Sequence, residues 1–438
     1  MKSRCFITAM LAGALGLAAA AETFRVEIDY MGADGDGHDH MPDQIVLDAV
    51  IQMFACQGHT LIIDLDDEVP HTDLLTGNPG TNMDCRDFWT YTGVSNTYRN
   101  YRNTYRDRGA GWHYCLFAHQ YRIDSNPGTS DSGGCTTTSS SGRANGGDAF
   151  IVTLGAFDGQ TGTLYAQAGT LAHEFGHNLG LSHCGSQDCD ATTEYVQNMP
   201  SVMAYTYQLS GVKTQLLSLG FVPDYAPFKE IDFSHGRMCS LNENSLNETT
   251  GTRMMRVDFN CDNDTSDSVV VQDLGFRGGG LGSSAPWCGE TDVNRSTLTD
   301  YNEWANINDG ATLVALAEEG DGEALFRLDE RLEKSRTCIT KEEWDEFVSY
   351  NPDIVLGGGP PLAIEGCIAT GRNAYVATSS TFSFGLCGFP FSGVILAQSS
   401  SPNNAVYWMT PGTYDQAGTT VLNKPGIWSC NTGTARIE

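Results

Sequence analysis

The sequence predicts an α+β protein: a twisted, mostly parallel sheet with helices, followed by a small β-rich module at the C-terminal end. Three observations predict it. Between Phe24 and Leu65, a strand pattern, a helix pattern and a second strand follow one another at the spacing of a right-handed crossover. An apolar strand at Ala149–Leu154 runs into a long helical pattern that begins near Thr163. A Gly357-Gly358-Gly359-Pro360-Pro361 run then sets apart a tail of short β-prone stretches, turn residues and three cysteines, as a disulfide-held module would show.

Each element has its own signal. Phe24, Val26, Ile28 and Tyr30 alternate with polar residues, the period of a half-buried strand. Pro42 can open a helix at its first turn; Ile45, Ala49, Val50, Met53 and Phe54 form its apolar face, and Gly58 ends it. Thr60–Leu65 is the next strand, and the acidic Asp64, Asp66, Asp67 and Glu68 resemble a solvated strand end. Phe88–Arg108 carries Tyr98, Tyr101 and Tyr105 with four arginines, as a second surface helix would, its tyrosines packed on the sheet. Trp112–Gln120 is a third strand, and residues 124–148 form a long loop rich in Gly, Ser and Thr. Further on, Leu241–Asn247, Ala324–Arg336 and Thr340–Phe347 are expected helices, the last with a Thr340/Glu343 capping box.

Residues 1–21 have the form of a secretion signal: Lys2 and Arg4, an apolar run from Phe6 to Leu17, and small residues at Ala18–Ala21. No later stretch approaches a membrane span, so an exported protein is expected. In an oxidising compartment most of the remaining cysteines should pair, and Cys184 and Cys189 are spaced to close a small loop. Thiolate ligation of a metal is disfavoured, because the chain has no C-x-x-C pair. The formal charge of −29 argues against nucleic acid or an anionic membrane as partner and suits a highly soluble chain, in a salt-rich exterior or with calcium. Oligomeric state is not legible.

The densest chemistry lies at His173-Glu174-Phe175-Gly176-His177-Asn178-Leu179-Gly180-Leu181-Ser182-His183. On a helix, His173 and His177 share one face, one turn apart. Glu174 lies about 100° around, badly placed to ligate and well placed to touch a metal-bound water. Gly180 can take the left-handed conformation that ends the helix and lets His183 approach the same metal from another side. Three protein ligands leave a fourth position open, the pattern of a catalytic zinc, with Glu174 as general base for the bound water.

These residues resemble the metzincin metalloendopeptidases, over about residues 22–250. The resemblance extends to Ser201-Val202-Met203-Ala204-Tyr205, which is similar to the methionine turn of those proteins. It implies an upper α/β half with the zinc helix, a lower irregular half, and a cleft between them whose edge strand pairs with extended polypeptide. It also implies Met203 as a hydrophobic floor beneath the histidines and Tyr205 as a donor to the reaction intermediate. Asn198-Met199-Pro200 and Tyr207-Gln208 are most similar to matrixin- or pappalysin-like secreted proteases. Cys184 after the third histidine matches none of the familiar residues at that place, so the subfamily stays unassigned. No segment resembles the cysteine-bearing prosegment of matrixins, and latency by that route is not expected.

Two lesser candidates accompany the motif. Asp258, Asn260, Asp262 and Asp264 alternate as calcium-binding oxygens can, but without the Gly and Glu of an EF-hand loop, so a polar loop is the competing reading. His38 and His40, beside Asp34, Asp36 and Asp39, offer a second metal site, against which an exposed acidic loop is preferred. The domains expected are residues 22–250 (catalytic), 251–356 (acidic extension), 357–361 (linker) and 362–438 (β-rich module). The predicted activity is a secreted zinc metalloendopeptidase. A binding or adhesion protein on that scaffold, or a zinc hydrolase of another bond, are the alternatives.

Overall fold

The computed structural model describes residues 21–76, 88–124, 135–185, 198–213, 229–236, 240–249, 259–274, 297–319 and 338–350 apart from positions 34, 36, 261, 263, 265 and 273, together with Ala324 and the backbone of five short strands in the tail. In chain order the first half comprises β1 (Thr23–Met31), α1 (Gln44–Gln57), β2 (Thr60–Val69), β3 (Leu74–Leu75), α2 (Tyr98–Tyr105), β4 (His113–Ala118), β5 (Gln120–Asp124), β6 (Cys135–Thr138), β7 (Gly142–Ala144), β8 (Ala149–Thr153) and α3 (Leu164–Asn178). The main sheet has the order β2-β1-β4-β8-β7. Its first four strands are parallel, and β7 lies antiparallel at one edge. The mixed, mostly parallel sheet agrees with the expected fold.

Both faces of this sheet are covered, which is why β4 and β8 are buried at every residue. One face places Phe24, Val26, Ile28, Cys115, Phe117, Phe150 and Val152 against α1 and α3, through Val46, Val50, Phe54, Leu171 and Phe175. The other face places Tyr114, Leu116 and Ile151 against Phe88, Tyr98 and Tyr101. The period-two alternation of the strands sorts these residues between the two cores. Both helices on the first face are well capped. Asp43 Oδ1 accepts from Ile45 N at 3.0 Å, and Thr163 Oγ1 from Ala166 N at 3.1 Å, each cap worth about 1 kcal/mol.

Several boundaries depart from the sequence reading. Pro42 lies outside α1, because Asp43 takes the cap. In the 88–108 region only Tyr98–Tyr105 is helical. Its tyrosines do pack on the sheet, but its arginines do more than face water. Arg102 and Arg106 both reach Asp148, and Arg108 reaches Asp64 and Asp66. The Asp64–Glu68 stretch is therefore not simply a solvated strand end, and β2 runs on through it to Val69. The third strand breaks at His119 into β4 and β5, and β5 leaves for a small sheet with β3 and β6. Leu241–Asn247 is not a helix: Leu241–Asn242 pairs with Thr297–Leu298, and Ser245 N closes a turn on Asn242 O at 2.8 Å.

The core does not stop at residue 250. Phe259, Val270, Leu274, Trp304 and Ile339 join the cluster around α1 and α3. A helix at Gly310–Glu318, here α5, was not foreseen; Asp309 caps it and binds His113 on β4, Oδ1 to Nε2, at 2.7 Å. The Thr340/Glu343 capping box forms as expected: Thr340 N donates to Glu343 Oε2 at 2.9 Å and Glu343 N to Thr340 Oγ1 at 3.3 Å. It opens the helix Lys341–Tyr350. Ala324–Arg336 lies outside the described residues except for Ala324, as do the signal-like segment and the Gly357–Pro361 run. In the tail the described backbone forms short parallel pairings among 373–376, 405–409 and 426–429, and between 412–414 and 435–437.

Candidate active site

The helix α3 presents the motif as its spacing dictates. Leu171 and Phe175 lock one side into the core, so His173 and His177 emerge together on another. The helix then ends in a doubly bonded cap: Leu181 N donates to Gly176 O and Gly180 N to His177 O, both at 2.9 Å. Gly180 has φ +85°, the left-handed conformation expected of it. That reversal brings His183 back to the helix. His177 Nε2 stands 3.1 Å from His173 Nε2 and 3.0 Å from His183 Nε2.

These contacts are not ordinary hydrogen bonds between rings. His173 Nδ1 lies 2.8 Å from Val202 O and His177 Nδ1 lies 3.0 Å from Leu181 O. A carbonyl can only accept, so both Nδ1 atoms carry the proton and both Nε2 atoms turn bare lone pairs toward one point. Burial, with the neighbouring His177 and His183, holds His173 well below the usual histidine range, which favours the neutral ligating form. Three imidazoles, two of them with the outer nitrogen fixed by a carbonyl, suit a zinc ion, whose ligands at 2.0–2.1 Å would stand about 3.3 Å apart.

The 201–204 turn is the floor of this arrangement. Ser201 Oγ accepts from Met203 N at 2.9 Å, and Val202 N donates to Asp232 O at 2.9 Å. Asp232 is itself held by Trp304 Nε1 at 2.9 Å and His235 Nε2 at 3.0 Å. Met203 is fully buried, and a Cβ placed on Gly176 would collide with its sulfur and come within 3.1 Å of the Phe233 ring. Glycine in the middle of α3 is thus what lets the turn pack so close. Tyr205 opens the short helix α4 (Tyr205–Gln208), and its ring centroid lies 4.5 Å from that of His183 and 5.9 Å from that of His173.

Glu174 is fully buried, and neither carboxylate oxygen has a hydrogen-bond partner. Burial pushes its carboxyl well above the usual range, with the Cys338 thiol and the Arg143 guanidinium offsetting only part of this. A buried carboxyl so weakly compensated is costly, and it fits a group that awaits a proton-bearing molecule.

Cys338 was not foreseen. Its buried thiol lies 4.0 Å from His177 Nε2 and completes a cluster with His173, His177 and His183. The flanking backbone carries it there. Ile339 O accepts from Ser141 N at 2.9 Å, Lys341 N donates to Ser139 O at 3.1 Å, and Ser140 and Thr340 form an antiparallel bridge. Residues 338–341 thus lie as an added strand along the segment that leads into the edge strand β7.

The family model described as pregnancy-associated plasma protein-A, Peptidase_M43, matches residues 112–220. That stretch runs from β4 through the three histidines to the methionine turn. The match supports a metzincin zinc metallopeptidase over this segment. No curated protein and no solved structure matches the chain significantly.

Within this metzincin segment the structure brings together all the residues expected at the site: His173, Glu174, His177, Gly180, His183, Met203 and Tyr205. Cys184 is half-buried against the core, and its expected partner Cys189 lies outside the described residues. Cys338 lies outside the matched segment, and no spacing in the sequence ties it to the motif. The calcium reading gains no support. Asp258 lies outside the described residues, while Asn260, Asp262 and Asp264 each turn a side-chain oxygen to a backbone N–H two residues on, at 3.2, 3.1 and 2.8 Å. His38 and His40 are not in an exposed acidic loop: His40 is buried, and both rings meet His71 and His119.

Proposed function

We propose that this chain is an exported zinc endopeptidase that cleaves extended polypeptide, and that the form described here is closed by its own residues 338–341. The observation that carries this reading is the pairing of residues 338–341 along 139–141, which delivers Cys338 to the three histidines. A stretch of extended chain already fits the cleft, bonded through its backbone as a peptide substrate would be. The signal-like N-terminal segment supports export.

Zinc held by His173, His177 and His183 would supply Lewis acidity for the scissile carbonyl and ease the deprotonation of water. The chain's own residues do the rest. Glu174 receives the proton of the attacking water and passes it to the leaving amine, a role suited by the burial that raises its proton affinity. Tyr205, packed on His183, donates to the developing oxyanion. Val202 O and Leu181 O keep two ligands in the tautomer that binds metal. Cys338 stands beside the three histidines, and as a thiolate it would close the vacancy that hydrolysis requires. Substrate therefore enters only when 338–341 withdraws.

The test is a mixed peptide library with zinc quantified in the same sample. Internal cleavage that disappears in Glu174→Gln while zinc is retained supports the endopeptidase. Zinc without cleavage, before and after limited proteolysis that removes the 338–341 strand, would overturn it in favour of a binding protein.

A further inference from the structure

We propose a second metal centre, built from His38, His40, His71 and His119 and separate from the catalytic one. The four residues come from distant parts of the chain: the loop after β1, the residue after Pro70 beyond β2, and the break between β4 and β5. All three places lie at the C-terminal ends of neighbouring parallel strands, so the sheet itself gathers them.

The geometry is that of a tetrahedron. The six distances between ring centroids are 5.2 Å for His38–His40, His38–His71, His38–His119 and His40–His119, and 5.4 Å for His40–His71 and His71–His119. Four aromatic rings packed for their own sake do not equalise all six separations; they stack or meet edge to face in pairs. Imidazoles bound to one ion at 2.0–2.1 Å do, because each centroid then lies about 3.2 Å from the metal and the edges come to about 5.2 Å. The nitrogens agree. His38 Nε2 and His119 Nδ1 are 3.2 Å apart, His119 Nδ1 and His40 Nε2 are 3.2 Å, and His71 Nε2 and His40 Nε2 are 3.3 Å. The corresponding tetrahedral edge is about 3.3 Å.

Hydrogen bonding alone does not account for this cluster. His40 Nε2 faces two other ring nitrogens, and so does His119 Nδ1. The four ligand nitrogens all lie within 4.8 Å of one another, each either carries a proton or offers a lone pair, and among any three of them two of a kind must face each other. Protonating the rings would set like charges against one another in a mostly buried place. A single divalent cation satisfies all four nitrogens together.

The ligand set also selects the ion. Four neutral nitrogens and no oxygen exclude calcium and magnesium, and a tetrahedral arrangement disfavours copper(II), leaving zinc as the physiological candidate. With all four positions filled by protein, the centre is structural. It ties the loop bearing His38 and His40 to the point where β5 departs from the main sheet. His40 N already donates to Met31 O and Gly155 N to His119 O, both at 2.9 Å, so the ligands rest on strand backbone rather than on free loop. Three of the four histidines lie outside the matched family segment.

The experiment counts metal on the full chain. Purified protein dialysed against a weak chelator should hold two zinc ions per chain. His177→Ala and His119→Ala should each hold one, and the Tm of His177→Ala should still fall on strong chelation. Cobalt substitution of His177→Ala should give the intense visible absorption of a tetrahedral, nitrogen-bound ion. One zinc in the wild type that is lost entirely in His177→Ala would overturn the proposal. So would an unchanged count of two in a soluble His119→Ala or His40→Ala. Where those variants fail to fold, the wild-type count and the cobalt spectrum of His177→Ala decide.

Discussion

The thiol of Cys338 lies 4.0 Å from Nε2 of His177, across 161 residues of chain. By the proposed mechanism, it competes there for the place that water and substrate need. Cys338→Ser removes a strong zinc ligand while keeping the shape of the strand. The initial rate of peptide cleavage should rise several-fold, with zinc retained at His173, His177 and His183. In the cobalt-substituted protein, a thiolate-to-metal charge-transfer band should be present in the wild type and missing from the variant. Equal rates and equal spectra would remove Cys338 from any regulatory part.

Glu174→Gln should keep its zinc and its fold and lose about 10²–10⁴-fold in kcat. The amide retains the shape but not the proton affinity. Because burial already disfavours the charged carboxylate, the neutral substitution should raise Tm slightly rather than lower it. Wild-type cleavage rates in a zinc-loaded Glu174→Gln sample would eliminate the proposed proton transfer.

Tyr205→Phe tests a narrower point. The ring remains to pack on His183, so stability and zinc content should hold, and only the hydroxyl is lost. Loss of one oxyanion donor costs about 10²-fold in kcat. An unaltered kcat would reduce Tyr205 to a packing residue.

Gly180→Ala puts a side chain at φ +85°, a conformation costing an L-residue roughly 1–2 kcal/mol. Tm should fall accordingly. Zinc affinity should fall too, since the same turn aims His183 at the other two ligands. Competition with a chromogenic chelator measures the second effect separately from the first.

Glu303 should make stability depend on pH. Burial pushes its carboxyl up to about 8, against the pull of the Ser201 hydroxyl and the Ser234 amide, from an ordinary value of 4.5. The folded state therefore holds a proton that the unfolded state has released between these values. Its stabilising contribution is complete below about pH 4.5 and is lost as pH rises toward 8. Wild-type Tm should decline across that window, and Glu303→Gln, which keeps an oxygen for Ser234 N, should flatten the decline. Parallel curves would show that Glu303 does not govern it.

The catalytic ligands were legible because their chemistry is local. His173 and His177 share a face through helix geometry, and Gly180 announces the turn that recovers His183. Thr340 and Glu343 revealed their helix in the same way, through a bond spanning three residues. The reading failed where the partner was remote. Leu241–Asn247 looks helical alone, yet it pairs with Thr297–Leu298, whose existence no local pattern signals. Asp64 and Asp66 look solvated until Arg108 arrives.

The sequence by itself determined the alternation of strands and helices, the turn that ends α3, and the three-histidine motif with its attached acid. All of these follow from contacts within a turn or two, where covalent geometry limits the outcomes. Only the tertiary structure decided that Cys338 stands at that site and that His38, His40, His71 and His119 converge. Closing long loops costs little more than closing short ones, so separation along the chain carries almost no information about which distant residues meet. That is settled by the sheet, whose strand order brings the ends of β1, β2 and β4 side by side, and by the edge that offers residues 338–341 a backbone to pair with.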